Sequence, residues 1–181
     1  MYLVNVLIAR KVIPIRPKEL FVYVGGMVFL GVFGEVFIGW LFQTLFGWPL
    51  WHYRLLPAHE ALTSYYSLVI WAIYGFHLYL LHGNLSKTKK PLPDWKLACI
   101  FAFEAVILEV AINLAHIAVA GDYIFYYYPP DLFHLTSLVA LPIYLFAGFV
   151  MVKTMRRFRK DPLFFGLMCF MATFTLLFLA A

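Results

Sequence analysis

The chain has 181 residues, of which 64% are hydrophobic and 13% charged, with a mean hydropathy of +0.85 and a formal net charge of +5. A soluble domain is about half apolar and a quarter charged, and a core of this size cannot hide the excess apolar surface. Soluble enzyme folds, nucleic-acid modules and disulfide-rich secreted scaffolds are therefore excluded. A single-domain integral membrane protein is expected.

Residues 1–19 open the chain. Residues 1–8 are apolar, but Arg10 and Lys11 follow that run rather than precede it, so it does not read as a signal peptide. It reads as a cytoplasmic or interfacial segment, broken by Pro14 and Pro17 before the first span. A spanning helix needs about 20 mostly apolar residues. Five stretches qualify, at 20–48, 64–81, 95–120, 132–152 and 163–181. The fold class expected is all-α: a polytopic membrane helix bundle of five transmembrane helices, one transmembrane domain over 20–181. Thirteen of the fourteen basic residues fall in the N-terminal segment and the second and fourth connections, and only Arg54 falls on the other side. By the positive-inside bias the N-terminus is cytoplasmic and the C-terminus outside, in a multi-pass cell-membrane protein. The net charge is a topology signal and points to lipid headgroups rather than nucleic acid. Cys99 and Cys169 lie inside spans, without partners at ligand spacing, and read as packing residues.

Self-comparison shows a repeat. Glu35-Val36 matches Glu109-Val110, and Trp51-His52-Tyr53 matches Phe125-Tyr126-Tyr127, at an offset of 74. After a one-residue deletion, Pro57 matches Pro130, Thr63-Ser64 matches Thr136-Ser137, and Gly75-Phe76 matches Gly148-Phe149. The expected architecture is thus a tandem parallel repeat of a two-helix hairpin, at about 20–82 and 95–153, plus a fifth helix. The outer loops carry Trp48, Trp51, Tyr53, Tyr123, Tyr126, Tyr127 and Tyr128. Rings at headgroup level are ordinary anchors, and Trp51, Tyr53 and Tyr127 are also candidate substrate contacts.

Ionisable groups in spans are functional candidates by default. At about 1.5 Å per residue, Glu35 and Glu109 both fall near mid-membrane. If the repeat makes them face each other, they share a proton, and a neutral acid beside an ionised one can do acid–base work. Either could instead be a protonated carboxyl bonding a neighbouring helix. Asn113 and His116 lie four and seven residues after Glu109, on the same helix face, as candidate orienting residues. Gln43 climbs the first helix from Glu35 as a candidate substrate contact. Glu104 stands about 140° around an ideal helix from Glu109 and reads as serving a different contact. Near the outer interface His59, His116, Asp131 and His134 could hold a divalent metal, though Asp131 could equally cap a helix. His77, His82, His116 and His134 lack the matched depth that bis-histidine haem needs. The glycines of the first span suit close helix packing, and Pro142 is expected to kink the fourth span about halfway down.

The stretch Glu35-Val36, Trp51-His52-Tyr53, Pro57 and His59 resembles the small four-helix membrane family described as type-IV ABC-transporter-like. Its members carry a Glu in the spans, then a Trp-Asp-Tyr loop with a Pro and an Asn. The second copy keeps Glu109, Tyr127 and Pro130, so the resemblance covers roughly 20–152. It departs where the family has Asp, which is His52 and Tyr126 here, and in the fifth helix. It implies architecture and little chemistry. A shorter stretch from Leu114 to Tyr126, with His116 followed by Gly121-Asp122-Tyr123, resembles a segment of the A subunit of copper membrane monooxygenases. The copper ligands of that family lie in its C subunit, in a spacing this chain lacks.

The function expected is a small membrane-embedded enzyme, or a subunit of one. It would use buried carboxylates for acid–base isomerisation, hydration or cyclisation of an isoprenoid-like or other lipid. Alternatives are a proton- or ion-coupled transporter or channel component, and an accessory subunit of a membrane metal oxidoreductase complex. The cofactor is unknown: none, or a divalent metal. Expected partners are membrane lipids and further copies or subunits.

Overall fold

A computed structural model describes residue 12 and residues 14–85 and 92–179. The apolar start, Arg10, Lys11 and the Lys87, Lys89 and Lys90 run lie outside the described residues. The elements in chain order are α1 (Pro17–Phe46), short strands β1 (Trp51–Tyr53), β2 (Ala58–His59) and β3 (Thr63–Ser64), then α2 (Ser67–Leu85) and α3 (Asp94–Ala120). Strand β4 (Phe125–Tyr127), two 3-10 turns (Asp131–His134 and Leu138–Ala140), α4 (Leu141–Arg157), a third turn (Phe158–Lys160) and α5 (Pro162–Leu179) complete it. Three helical stretches are long and apolar enough to cross a membrane, namely Pro17–Phe46, Asp94–Ala120 and Leu138–Arg157; Ser67–His82 and Pro162–Phe178 are shorter apolar helices. Large apolar side chains face outward along them, among them Phe33, Phe37, Phe103, Ile107, Phe146 and Phe174. Water would penalise such a surface and hydrocarbon would not, which fits a membrane protein.

The helix ends have local causes. α1 and α3 each stop at a glycine in the left-handed region, Gly47 at φ 76° and Gly121 at φ 75°. There the glycine N–H donates to the carbonyl of Gln43 or Ile117, a conformation that costs glycine little. The fourth helix starts later than expected. Leu132, Phe133 and His134 take φ of 49°, 56° and 62°, which no right-handed helix accommodates, so 131–140 folds as turns. Pro142 then sits in the first turn of α4 rather than at a mid-helix kink, where its missing N–H costs nothing. The second helix likewise starts at Ser67, because Thr63 and Ser64 pair with Ala58 and His59 in a β2–β3 hairpin.

The loops meet over the bundle. β1 and β4 pair antiparallel, Trp51 with Tyr127, His52 with Tyr126 and Tyr53 with Phe125. Beneath them one apolar cluster holds Leu50, Trp51, Tyr53, Ile124, Phe125, Tyr127 and Ala140. A second, toward the opposite, basic end, holds Val22, Met27, Leu78, Phe101 and Met151. Helix pairs close through small residues. A Cβ on Gly75 of α2 would lie 2.6 Å from the Tyr23 carbonyl oxygen of α1, and one on Gly148 of α4 would lie 3.1 Å from that of Ala98 on α3. At the basic end Lys153 and Arg156 of α4 pair with Asp94 at the start of α3, at 3.1 and 2.6 Å. α5 lies along α1, with Phe21 against Phe170.

Candidate functional site

Glu35, midway along α1, is buried. A buried carboxyl must find hydrogen-bond partners, and three elements supply them. Tyr53 on β1 donates its phenol to Oε1. Trp71 on α2 donates its indole N–H to the same oxygen at 3.0 Å. Thr63 on β3 donates its hydroxyl to Oε2. Ser67 in turn donates to the Tyr53 hydroxyl at 3.1 Å.

Glu109, midway along α3, is held in the same manner. Tyr127 on β4 donates to Oε1 at 2.9 Å, Tyr144 on α4 donates to the same oxygen, and Thr136 donates to Oε2 at 2.6 Å. The Tyr127 and Tyr144 hydroxyl oxygens also stand 2.9 Å apart, so either can donate to the other in place of the carboxyl. In both sets the strand tyrosine follows its acid by 18 residues, the threonine by 28 or 27, and the helix donor by 36 or 35. These partners are neutral hydroxyls and an indole.

Both carboxyls line both of two neighbouring cavities, which are open to the surface of the molecule. One lies between α1 and α4, against Gly31, Gly34, Ile38, Ile143 and Ala147. The other lies between α3 and α2, against Ala105, Leu108, Ile112, Ile70 and Tyr74. Tyr53, Trp71, Tyr74 and Phe125 belong to both walls. Such largely apolar hollows with a few convergent polar groups suit a hydrophobic ligand.

Several expected site residues are placed elsewhere. Asn113 is fully buried, but the main chain takes its amide: Nδ2 donates to the carbonyls of Phe125 and Leu135 at 3.0 and 2.7 Å, and Oδ1 accepts from the Ile124 N–H at 3.0 Å. It staples α3 to the loop above and does not orient Glu109. His116 Nδ1 bonds the Asp122 carbonyl at 2.6 Å, and His116 borders neither cavity. Gln43 is exposed and borders neither cavity. Trp51 borders the α1–α4 cavity while its indole donates to the Leu62 carbonyl at 3.0 Å. Tyr53 and Tyr127 border a cavity too, and their hydroxyls hold the carboxyls.

The expected metal donors are not gathered. His134 Nδ1 bonds the Tyr127 carbonyl at 2.8 Å and stacks on Tyr126. Asp131 accepts from the Leu138 N–H at 2.7 Å and the Ser137 hydroxyl at 3.1 Å, bracing the turn ahead of α4 rather than capping its own helix. His59 is buried beside Thr63. Among the described residues no three His, Cys, Asp or Glu side chains come together.

Above the cavities Arg54 pairs with Asp122 at 2.7 Å and lies over the Tyr126 ring, tying the two loops together. The Arg54 hydrogen bond, followed by the Tyr123 N–H, holds the Asp122 carboxyl below its usual range. Burial, then the nearby guanidinium, pushes the His52 imidazole down.

The residues that the spacing rules missed are Thr63, Thr136, Trp71 and Tyr144. The Thr-Ser match and the aromatic pair Trp71 and Tyr144, both at an offset of 73, were their visible signals. No protein-family model matches this chain, and no curated protein or solved structure is detectably similar to it.

Proposed function

We propose that the chain is a small intramembrane enzyme, or a subunit of one, that uses Glu35 and Glu109 for acid–base chemistry on an isoprenoid-like or similarly apolar lipid. One observation carries this reading: both carboxyls, each fixed by three neutral donors, line the same apolar cavities. One carboxyl in its acid form delivers a proton to a carbon–carbon double bond. The other, as carboxylate, removes a proton from a different carbon. The product is an isomer or a ring, with no oxidant or reductant consumed. The rings of Trp51, Tyr53, Trp71 and Phe125 around the cavities suit the positive charge between those steps. Threonine and tyrosine hydrogen bonds fix each carboxyl, so its reacting lone pair is aimed before substrate arrives.

The architecture proposed with it is five spans, cytoplasmic at the N-terminus and outside at the C-terminus in the cell membrane, built as a duplicated hairpin plus α5. The duplication is supported by the paired carboxyl partner sets, by the matched glycine ends of α1 and α3, and by the β1–β4 register, which a twofold axis through His52 and Tyr126 would generate. A second reading, a proton- or ion-coupled transport component, is favoured by the same carboxyls lying between two similarly built halves. The accessory-subunit reading, a non-catalytic part of a larger membrane complex, would instead show as instability of the chain purified alone.

The test is lipid extraction and mass spectrometry of the full chain purified in mild detergent, beside Gly34→Leu. A Cβ on Gly34 meets nothing within 4 Å, and Gly34 lines the α1–α4 cavity, so a leucine there starts its side chain in open space at the cavity wall. The enzyme reading expects a retained isoprenoid-class lipid that falls sharply in Gly34→Leu. No retained lipid, together with proton flux in proteoliposomes abolished by Glu35→Gln, would transfer the case to transport.

A further inference from the structure

One titratable cluster lies below the carboxyls, toward the basic end. His77 Nε2 of α2 stands 2.6 Å from Glu104 Oε1 of α3, with 17% and 26% of the two side chains exposed. Glu104 Oε2 faces the Tyr74 hydroxyl at 3.5 Å, and that hydroxyl also reaches the Phe101 carbonyl at 3.2 Å. Tyr74 belongs to the wall of both cavities that hold Glu35 and Glu109. Along α2 the rings of Trp71, Tyr74 and His77 follow one another at 6.0 and 6.1 Å. Nearer the basic end, Tyr23 and His82 share a further hydrogen bond.

The other half has no such cluster. By the repeat register the positions matching Tyr74, His77 and Glu104 are Ala147, Val150 and Leu30, none of which can carry a proton. A fold that needed only to close α2 on α3 could use the apolar solution found between α1 and α4. A partly buried His–Glu pair is a poor source of stability, so its presence on one side alone calls for another role.

We propose that His77, Glu104 and Tyr74 form the route by which protons pass between the basic end and the buried carboxyls. This rests on the reading that Glu35 and Glu109 exchange protons during function. A proton enters at His77 Nδ1 while Nε2 releases one to Glu104 Oε1. Glu104 starts as the acid protonated at Oε2. It passes that proton to the Tyr74 oxygen once the phenol hydroxyl, which otherwise donates to the Phe101 carbonyl and Glu104 Oε2, turns its own proton into the cavity, so tyrosinate never accumulates. A water or a substrate oxygen in the cavity carries it on to Glu109 or Glu35. Each group keeps its proton count, and no electron moves. The route is ready again once the imidazole returns to its first tautomer and the Glu104 carboxyl and Tyr74 hydroxyl rotate back. The route makes the two carboxyls unequal in supply although their immediate surroundings match.

The experiment is infrared difference spectroscopy of the full chain in nanodiscs after a pH jump. The carboxyl C=O bands are assigned by their loss in Glu35→Gln and Glu109→Gln. Glu104→Gln and Tyr74→Phe keep shape and packing while removing the proton carrier. The proposal expects each to slow protonation of the assigned bands on the order of 100-fold, with band positions and the final extent unchanged. Bands that titrate at the wild-type rate in both variants would overturn the route and leave a structural clamp. Bands that never change between pH 4 and 10, a range chosen to bracket ordinary carboxyl values, would overturn the route and the acid–base reading together.

Discussion

The Glu35 and Glu109 halves agree in how the acid is held and differ in the third donor. Glu35 receives an indole N–H from Trp71, and Glu109 receives a phenol from Tyr144 that is also bonded to Tyr127. An indole only donates, whereas a phenol both donates and accepts. Both networks contain a strand phenol that can accept and donate, Tyr53 taking a hydrogen bond from Ser67, so the difference lies in the third donor alone: an indole at Glu35 and a second phenol at Glu109. The shared features, tyrosine and threonine, are those needed to bury a carboxyl. The unshared ones are where two roles would be divided.

That comparison can be broken in several ways. The largest expected effects come from the acids. Glu35→Gln and Glu109→Gln should each lower turnover on the order of 100-fold or more, and the double variant should cost far less than the product of the two. Equal, independent losses measured by turnover would argue against a pair. Next, Asn113→Leu strips partners from several buried main-chain groups. It should destabilise the fold by about 3 kcal/mol in denaturant unfolding, at roughly 1–3 kcal/mol per stranded group. Its repeat counterpart is Gly39, so this staple belongs to the Glu109 half alone.

Smaller and equal in both halves should be Thr63→Val and Thr136→Val. Each removes one donor from a carboxyl oxygen that is buried in Glu35 and partly buried in Glu109, at about 1–2 kcal/mol by the same unfolding measurement. A cost in only one half would mean the carboxyls are not held alike. Smallest is the exposed Arg54–Asp122 pair joining the two loops. The folded Asp122 carboxyl lies below its unfolded value. Its contribution is therefore present above the unfolded pKa, near 4, and is lost as pH falls through the folded pKa. The melting difference between wild type and Asp122→Asn should accordingly shrink on acidification.

Much of this was legible in the residues. The apolar runs located the helices, and the matched Glu-Val, aromatic-x-Tyr and Thr-Ser pairs singled out these residues without showing that the tyrosines and threonines hold the acids. What failed was inference from helix spacing alone. Asn113 shares a face with Glu109, yet the chain folds back after Gly121 and brings main-chain groups that claim its amide. His116, Asp131 and His134, gathered near one interface by sequence, were dispersed because each meets a nearby main-chain carbonyl or N–H first. Pro142 read as a kink only because the left-handed turn at Leu132–His134 leaves no trace in apolar periodicity. Trp71 and Tyr144 became visible as partners only once the packing of their helices turned each ring toward an acid on a neighbouring helix.

The most direct measurement is solvent deuterium uptake. The full chain in nanodiscs would be incubated in D₂O with a linear isoprenoid such as squalene or geranylgeraniol, and the lipid analysed by mass spectrometry for carbon-bound deuterium. The account predicts label in an isomerised or cyclised product with wild type, and none with Glu35→Gln or Glu109→Gln. Label or product that persists at the wild-type level in both variants would contradict it.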